Sequence, residues 1–465
     1  MTHVTLDQAV HIAQQHQLAG RVADAEAIYR QVLSQQRDVA AAWYGLGTIL
    51  MQRGHGDCVA CLRNAIAVNP YFPEAHNSLG AALGMQGRGD EAMASFQTAL
   101  AQRPDYAEAH LNLSNAFGAA GQWPQSAACA SRALELRPDY PEAIAALARA
   151  RRVMGFPLEA IDLNRRAIAL RPDFPEAWVN LGNVLQVVGQ IDQAIDCYRQ
   201  AIALRPQFAD AHCNMAIALI ARGDFNEAIA QCKTALSIRP DSVEARNTLA
   251  DASRCAGQMT DAIGWYRQVL AIRPNYPEAL NNLGNALLLN NEHDPAIESY
   301  RKAISVRPDY AEAFNNLGRA LADVGDRAGA VAAFERSIEI QPTSSVARSN
   351  LIYTLLLQPQ TSLGDVIAQL REWNRIHAAP LAPFILPHDN DRTPNRRLRI
   401  GYLSPDLRDH VVGRNVLPIF SRHDKNNVEV FFYSQTFKPD TMTDQFKAIA
   451  DGWRPIAAVS DERVQ

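Results

Sequence analysis

Arg171-Pro172-Asp173-Phe174-Pro175-Glu176-Ala177 is the stretch whose reading decides the fold. It returns as Arg273-Pro274-Asn275-Tyr276-Pro277-Glu278-Ala279 and as Arg307-Pro308-Asp309-Tyr310-Ala311-Glu312-Ala313. Prolines at 70, 104, 138, 172, 206, 240, 274, 308 and 342 stand 34 residues apart. A fixed period of this size marks a solenoid, built of supersecondary units that cannot bury their apolar faces alone. Outward from the phrase, Ala177, Leu181 and Leu185 form one apolar stripe, the face of a helix A. Gly189 permits a turn, and Ala194, Ile195, Tyr198, Ala201 and Ile202 form the stripe of a helix B. Pro206 then ends helix B, because the residue before a proline is pushed out of the helical region.

The turn glycine recurs at 20, 54, 87, 121, 155, 189, 223, 257 and 325, with Asn291 in its place once, which predicts ten helix pairs. Asn is the natural substitute because it also visits left-handed backbone. The second unit is one residue short, and the deletion is expected in its turn, at 55–57. Small residues such as Ala194, Ala262 and Ala296 precede an aromatic four positions on (Tyr198, Tyr266, Tyr300). Ala130 and Asn164 stand where two units should have that aromatic, so looser packing is expected there. Beyond Pro342, 344–357 reads as a last, unpaired helix A, and 362–377 as an amphipathic helix with Val366, Leu370 and Trp373 on one face.

Bulk properties exclude little but point the same way. Of 465 residues, 48% are apolar and 20% charged, as in an ordinary globular protein. A net charge of −4 gives no reason to expect nucleic acid or an anionic membrane as partner. No apolar run approaches the length of a membrane span. Seven scattered cysteines fit a reducing, cytoplasmic setting. Cys58 and Cys61, with His55 nearby, have the spacing of a metal or redox pair, but zinc needs four ligands and no second pair exists. Both are read as buried packing residues, and no metal site is expected.

One polar position recurs inside helix A, directly before the Leu of Leu-Gly. It holds Asn112, Asn180, Asn214, Asn282, Asn316 and Asn350, interrupted by Ser78, Ala146 and Thr248. Asn is a mediocre helix former, so its return calls for a reason other than solubility. A side-chain amide offers both donor and acceptor, which suits it to an extended peptide's backbone whatever the sequence. The six are therefore read as a client-peptide ladder.

After a loop rich in Pro and charge (380–395) the pattern changes. Strand, helix, strand, helix and strand are expected at 398–404, 411–423, 428–434, 441–452 and 454–459, the opening of a parallel α/β sheet. Ligands of such sheets sit beyond the carboxyl ends of the strands, which makes Pro405-Asp406-Leu407-Arg408-Asp409-His410 a candidate site.

The array resembles the tetratricopeptide repeat, through Leu-Gly in helix A, Gly in the turn, Ala-x-x-x-aromatic in helix B and Pro at the end. That resemblance implies a right-handed α-solenoid with a concave groove lined by A helices. Residues 396–410, with 428–433, 453–461 and Arg371-Glu372-Trp373, resemble the opening of the catalytic region of protein O-linked N-acetylglucosamine transferases, bacterial and Spindly-type. The chain is thus expected to be mainly α, with the solenoid over 1–357, a helical linker and loop over 358–395, and the start of a Rossmann-like (GT-B) domain over 396–465. The family's activity is inverting transfer of a sugar from a nucleotide donor to Ser or Thr of proteins. The resemblance implies UDP-N-acetylglucosamine as donor substrate, no prosthetic group, and client proteins gripped by the ladder; a homodimer is left open. His410 matches the family's loop histidine, as general base or as a positioner of acceptor or donor. The family's second histidine segment and nucleotide-binding lobe find no counterpart, so the 465-residue chain is expected to be incomplete and inactive by itself. The rival readings are a scaffold without chemistry and a related O-fucosyl- or glucosyltransferase.

Overall fold

The computed structural model describes residues 5–384, 393, 396–436 and 439–456. Their packing divides the chain into two units, Met1–Ile376 and His377–Gln465.

The first unit is all helix. Ten pairs follow one another: α1 and α2 (Leu6–Leu18, Val22–Gln35), α3 and α4 (Ala40–Gln52, Cys58–Val68), and α5 and α6 (Pro73–Met85, Gly89–Gln102). Next come α7 and α8 (Ala107–Ala119, Trp123–Leu136), α9 and α10 (Pro141–Val153, Pro157–Leu170), and α11 and α12 (Pro175–Val187, Ile191–Leu204). Then follow α13 and α14 (Ala209–Arg222, Phe225–Ile238), and α15 and α16 (Val243–Cys255, Met259–Ile272). Last are α17 and α18 (Pro277–Leu289, His293–Val306), and α19 and α20 (Ala311–Asp323, Arg327–Ile340). α21 (Ser345–Leu356) lies against α20, and α22 (Leu363–Trp373) against α21. Of the three apolar residues expected on one face of α22, Val366 is buried while Leu370 is 48% exposed. In the second pair, α4 begins four residues after Gly54 rather than two, so the short unit is a later, shorter helix B.

Each recurring residue has a visible task. Turn glycines take positive φ, and Asn291 does the same at 61°, the one non-glycine to do so among the described residues. The glycine of Leu-Gly makes room for an aromatic ring. A Cβ on Gly182, Gly284 or Gly318 would lie within 2.6 Å of the ring of Tyr198, Tyr300 or Phe334. The Arg-Pro phrase closes the third to ninth pairs at their far end. Arg171 stacks over Phe174 at 3.8 Å and pairs with Glu142 at 2.6 Å. Arg103 does so with Tyr106 and Glu74, Arg205 with Phe208 and Glu176, and Arg307 with Tyr310 and Glu278. Half-exposed ion pairs are worth about 0–1 kcal/mol. The clamp therefore sets the path of the chain through the proline more than it adds stability.

Successive A helices touch one another, from α5 with α7 to α19 with α21, while packing of the same strength between successive B helices is absent among the described residues. The array therefore curves with its A helices on the inner side. Cys58 and Cys61 are buried in its core, where burial pushes the Cys61 thiol up.

The second unit holds three parallel strands in the order β1 (Leu398–Ser404), β2 (Val428–Ser434), β3 (Gly452–Pro455). Leu398 pairs with Val428 and Ser404 with Ser434. α23 (Val411–Phe420) and α24 (Thr441–Ile449) supply the crossovers. Val430, Phe432, Phe446 and Leu407 form the core, with Tyr402, Phe420 and Trp453 packed on it. β3 begins two residues earlier than its sequence suggests, and 457–459 lie outside the described residues. Asp451 explains the shift: its N–H donates to Val430 O at 2.8 Å and its carboxylate accepts from Val430 N–H at 2.7 Å.

Candidate functional site

On the inner stripe of α11, Glu176, Asn180 and Asn183 are half-buried and Val187 is exposed, at spacings of four, three and four residues. The ladder position belongs to this inner stripe, as does the residue three places after it. Burial varies along the ladder: Asn112, Asn180, Asn214, Asn282 and Asn350 are half-buried, and Asn316 is buried.

The amides are partly committed to the protein itself. Nδ2 of Asn112 donates to Asn77 Oδ1, that of Asn214 to Asn183 Oδ1, that of Asn282 to Asp251 Oδ1 and that of Asn316 to Asn281 Oδ1, each at 3.0 Å. Asn350 donates to Asn315 Oδ1 at 2.9 Å. In every case the acceptor lies on the preceding A helix. It is either one residue before the equivalent ladder position or three after it, two places one turn apart on the same face. Asn180 has no such bond among the described residues, because the fifth pair puts Ala145 and Arg149 in those two places. Two of the acceptors are themselves fixed from below: Tyr198 donates to Asn183 at 2.8 Å and Tyr266 to Asp251 at 2.5 Å. Tyr300 donates likewise to Asn285 at 2.8 Å, although Asn316 bonds to Asn281 instead. Burial pushes all three phenols up, so they remain neutral donors. It also raises the Asp251 carboxyl, against the pull of Tyr266.

An Asn amide has two N–H donors and an acceptor oxygen. With one donor tied back, the Oδ1 atoms of Asn112, Asn214 and Asn350 accept no bond among the described residues. The tie fixes the plane of each amide, and a fixed amide loses less entropy on binding than a free one.

The second candidate is the loop 405–410, at the carboxyl ends of the parallel strands. Thr443 Oγ1 donates to Leu407 O at 2.8 Å, Thr436 Oγ1 to Pro405 O at 3.1 Å, and Asp409 N–H to Asp440 Oδ2 at 2.7 Å. Backbone N–H donors from Asp409 and Thr443 hold the Asp440 carboxyl below the usual range. Gly413 lets the loop sit on α23, since a Cβ there would lie 2.2 Å from Arg408 O and 2.7 Å from Asp406 O. His410 is the N-cap of α23, half-buried, with Nδ1 accepting from Val412 N–H at 3.3 Å. Asp406 Oδ1 stands 3.6 Å from the same nitrogen. While Nδ1 accepts from Val412, the proton of a neutral ring is on Nε2, a donor; turned to Asp406, Nδ1 carries the proton and Nε2 is free as a base.

Among the described residues no group of His, Cys, Asp and Glu is arranged to hold a metal ion, and no helix is long and apolar enough to cross a membrane.

Profiles of the tetratricopeptide repeat match residues 13–57, 55–107, 83–150, 163–196, 209–242 and 311–341, and a TPR-repeat profile matches 188–221, 254–291 and 284–325. Over 98 residues the chain is 35% identical to a probable UDP-N-acetylglucosamine–peptide N-acetylglucosaminyltransferase SPINDLY of Solanum lycopersicum, covering 20% of this chain and 10% of that protein. The protein so named from Oryza sativa subsp. japonica is 34% identical over 98 residues, again 20% of this chain and 10% of that one. The chain thus matches about a tenth of the length of these relatives. A solved O-GlcNAc transferase variant of Thermobaculum terrenum is 30% identical, with 48% of this chain and 42% of that one covered and a TM-score of 0.41.

Proposed function

We propose, for a chain that belongs to the tetratricopeptide-repeat family, that its inner A-helix stripe binds an extended segment of client proteins and that 396–456 forms part of a protein O-GlcNAc transferase-like catalytic region. The observation that carries the first half is the row of half-buried amides whose planes are fixed by one bond and whose oxygens remain open. Such oxygens accept from peptide N–H groups irrespective of side chain. Support for the second half is a loop braced at the ends of parallel strands, and it agrees with the chain's likeness over 98 residues to relatives named as UDP-N-acetylglucosamine–peptide transferases. In this reading UDP-N-acetylglucosamine is the donor, a client Ser or Thr the acceptor, and the protein works in the cytoplasm. His410 holds a substrate oxygen by Nε2–H, or takes the acceptor proton at Nε2 when Asp406 engages Nδ1.

The two halves are tested separately. Asn180 has no partner to lose, so Asn180→Ala should weaken binding of extended client segments while leaving the melting temperature unchanged. Changing Asn180, Asn214, Asn282 and Asn316 together should weaken binding broadly, at roughly 0.5–1.5 kcal/mol per lost bond. Unchanged affinity in the fourfold variant would sink the groove reading. For the chemistry, transfer from UDP-N-acetylglucosamine is measured on this chain and on any longer polypeptide containing it. Where transfer occurs, His410→Ala should reduce it by roughly 10²–10⁴-fold, the range of a positioned acid–base group. A loss of only about twofold would leave His410 outside the chemistry, and binding without transfer by every form would favour the scaffold.

A further inference from the structure

The fifth pair departs from its neighbours twice, at one place. Its helix B has Asn164 where α12, α16 and α18 have tyrosine, and the Asn164 amide turns back to donate to Ala160 O at 2.8 Å. No phenol therefore rises toward α9. Above it, the inner stripe has Ala146 at the ladder position and Arg149 three residues on, where the fourth, sixth, eighth and ninth pairs have Asn115, Asn183, Asp251 and Asn285. Arg149 Nη2 donates to Asn115 Oδ1 on α7 at 2.8 Å, and its Nε is buried with no partner. The side chain of Arg152, one turn further along α9, has no hydrogen bond or ion pair among the described residues.

Two of the fifth pair's three acids are engaged elsewhere, and the third, Asp162 on α10, is exposed. Glu142 is held by Arg171 at 2.6 Å, and Glu159 lies 3.3 Å from Arg151. Burial first, and the Arg152 charge second, lower the Arg149 pKa. The eighth pair offers a control within the same molecule. Arg254 occupies there the place of Arg152, but Asp251 lies three residues before it, where the fifth pair has Arg149, and its charge acts on Arg254. Two half-buried like charges without a counter-ion are costly, and an oxyanion between them removes that cost through charge-assisted hydrogen bonds.

We propose that Arg149 and Arg152 form an oxyanion subsite on the inner face of the array, which takes an acidic side chain of a peptide lying across the A helices. The proposal rests on the groove reading above and adds a preference to it. Asn180, on the next A helix, is at the position that elsewhere bonds back to the place of residue 149, and its amide is unspent. Backbone capture and side-chain charge recognition are therefore adjacent in the array. The occupant's anion is a Glu or Asp carboxylate or a phosphate ester on the same peptide, and the test separates the two.

The test is fluorescence anisotropy with the whole chain at low salt. Labelled peptides of alternating Ala and Glu are compared with counterparts carrying Gln, and with one carrying phosphoserine. The Glu peptide should bind about tenfold more tightly than the Gln peptide, a difference of about 1.4 kcal/mol. Arg152→Gln should cut that preference severalfold, and Arg149→Gln with Arg152→Gln should abolish it. Because Arg152 has no partner, the single variant tests the site even if the double variant loses helicity. The fourfold Asn variant should weaken Glu and Gln peptides alike and leave their ratio intact. If the wild-type chain binds Glu and Gln peptides equally, or if the preference survives both Arg changes, the subsite is refuted while the groove reading stands. If it binds neither, both fall. Tighter binding of the phosphoserine peptide, lost in Arg152→Gln, supports the subsite with phosphate as its occupant; equal or weaker binding supports a carboxylate.

Discussion

In the helical array and in the three-stranded unit, glycine solves two different problems. At Gly182, Gly284 and Gly318 a helix makes room for a ring from its own partner helix. At Gly413 a helix makes room for two backbone carbonyls of the loop that carries His410. A ring can tilt, and the neighbouring pairs of a solenoid share only their own interfaces, so a fault there stays local. The carbonyls of 405–410 cannot yield as easily, because Thr443, Thr436 and Asp440 hold the loop from the other side. As the proposed binding surface the inner stripe is thus distributed and tolerates loss, whereas the proposed catalytic loop is a single element that does not.

The largest effect should follow from Gly413→Ala. Overpacking against fixed backbone costs about 3 kcal/mol, the upper end of the usual range. Hydrogen exchange over 405–420 should rise toward that of an open loop, while exchange in α1–α20 stays the same. Ordinary protection of the loop would refute the bracing described here. Gly284→Ala comes next, with about 1–3 kcal/mol of overpacking against Tyr300. Its control is Gly84→Ala, where a new Cβ meets only Ala92 at 4.0 Å and the better helix former should hold or raise the melting temperature. Equal melting of the two variants would break the contrast between crowded and open glycines.

The smallest effect concerns Asp251. Its carboxyl is raised by burial, so the folded array binds the proton more readily than the unfolded chain does. The protonated group favours folding below the ordinary Asp pKa of about 3.9, and that contribution is lost as pH rises through the raised value. Asn183 already accepts from Tyr198 and Asn214 in the sixth pair as Asp251 does from Tyr266 and Asn282 in the eighth. Asp251→Asn should therefore melt higher than the wild type near neutral pH, and the two should converge in acid. A gap that widens toward acid would reverse the assignment.

Much of this was legible in the residues because repetition amplifies weak signals. One Gly is poor evidence for a turn, but the series with Asn291 in register left little choice, and Asn291 takes the positive φ its place requires. The strands 398–404 and 428–434 were equally plain, being apolar and bounded by turn residues. The partners of the ladder were not legible. An Asn that reaches solvent and one that reaches the previous helix look alike when each unit is read alone. The signal was a second spacing beside the period of 34: the amide pairs are 31 or 35 residues apart, Asn214 with Asn183 and Asn316 with Asn281. Asn180, with Ala145 and Arg149 at those two distances, is the exception the second spacing picks out. The early start of β3 was hidden for another reason, since it depends on a contact between Asp451 and Val430 that no local pattern encodes.

The backward-reaching amides also constrain how such an array can grow by copying. The clamp between Arg and Glu is internal to a pair, so any pair carries it along when duplicated. The amide bond needs a donor in the copy and an acceptor in the original. The ninth pair holds both, in Asn282 and Asn281, and could follow itself any number of times with each junction bonded. The eighth supplies the acceptor Asp251 but Thr248 for a donor, so a second eighth pair would begin with an unbonded seam. Lineages that lengthen the groove by duplication should accordingly show descendants of the ninth pair more often than of the eighth.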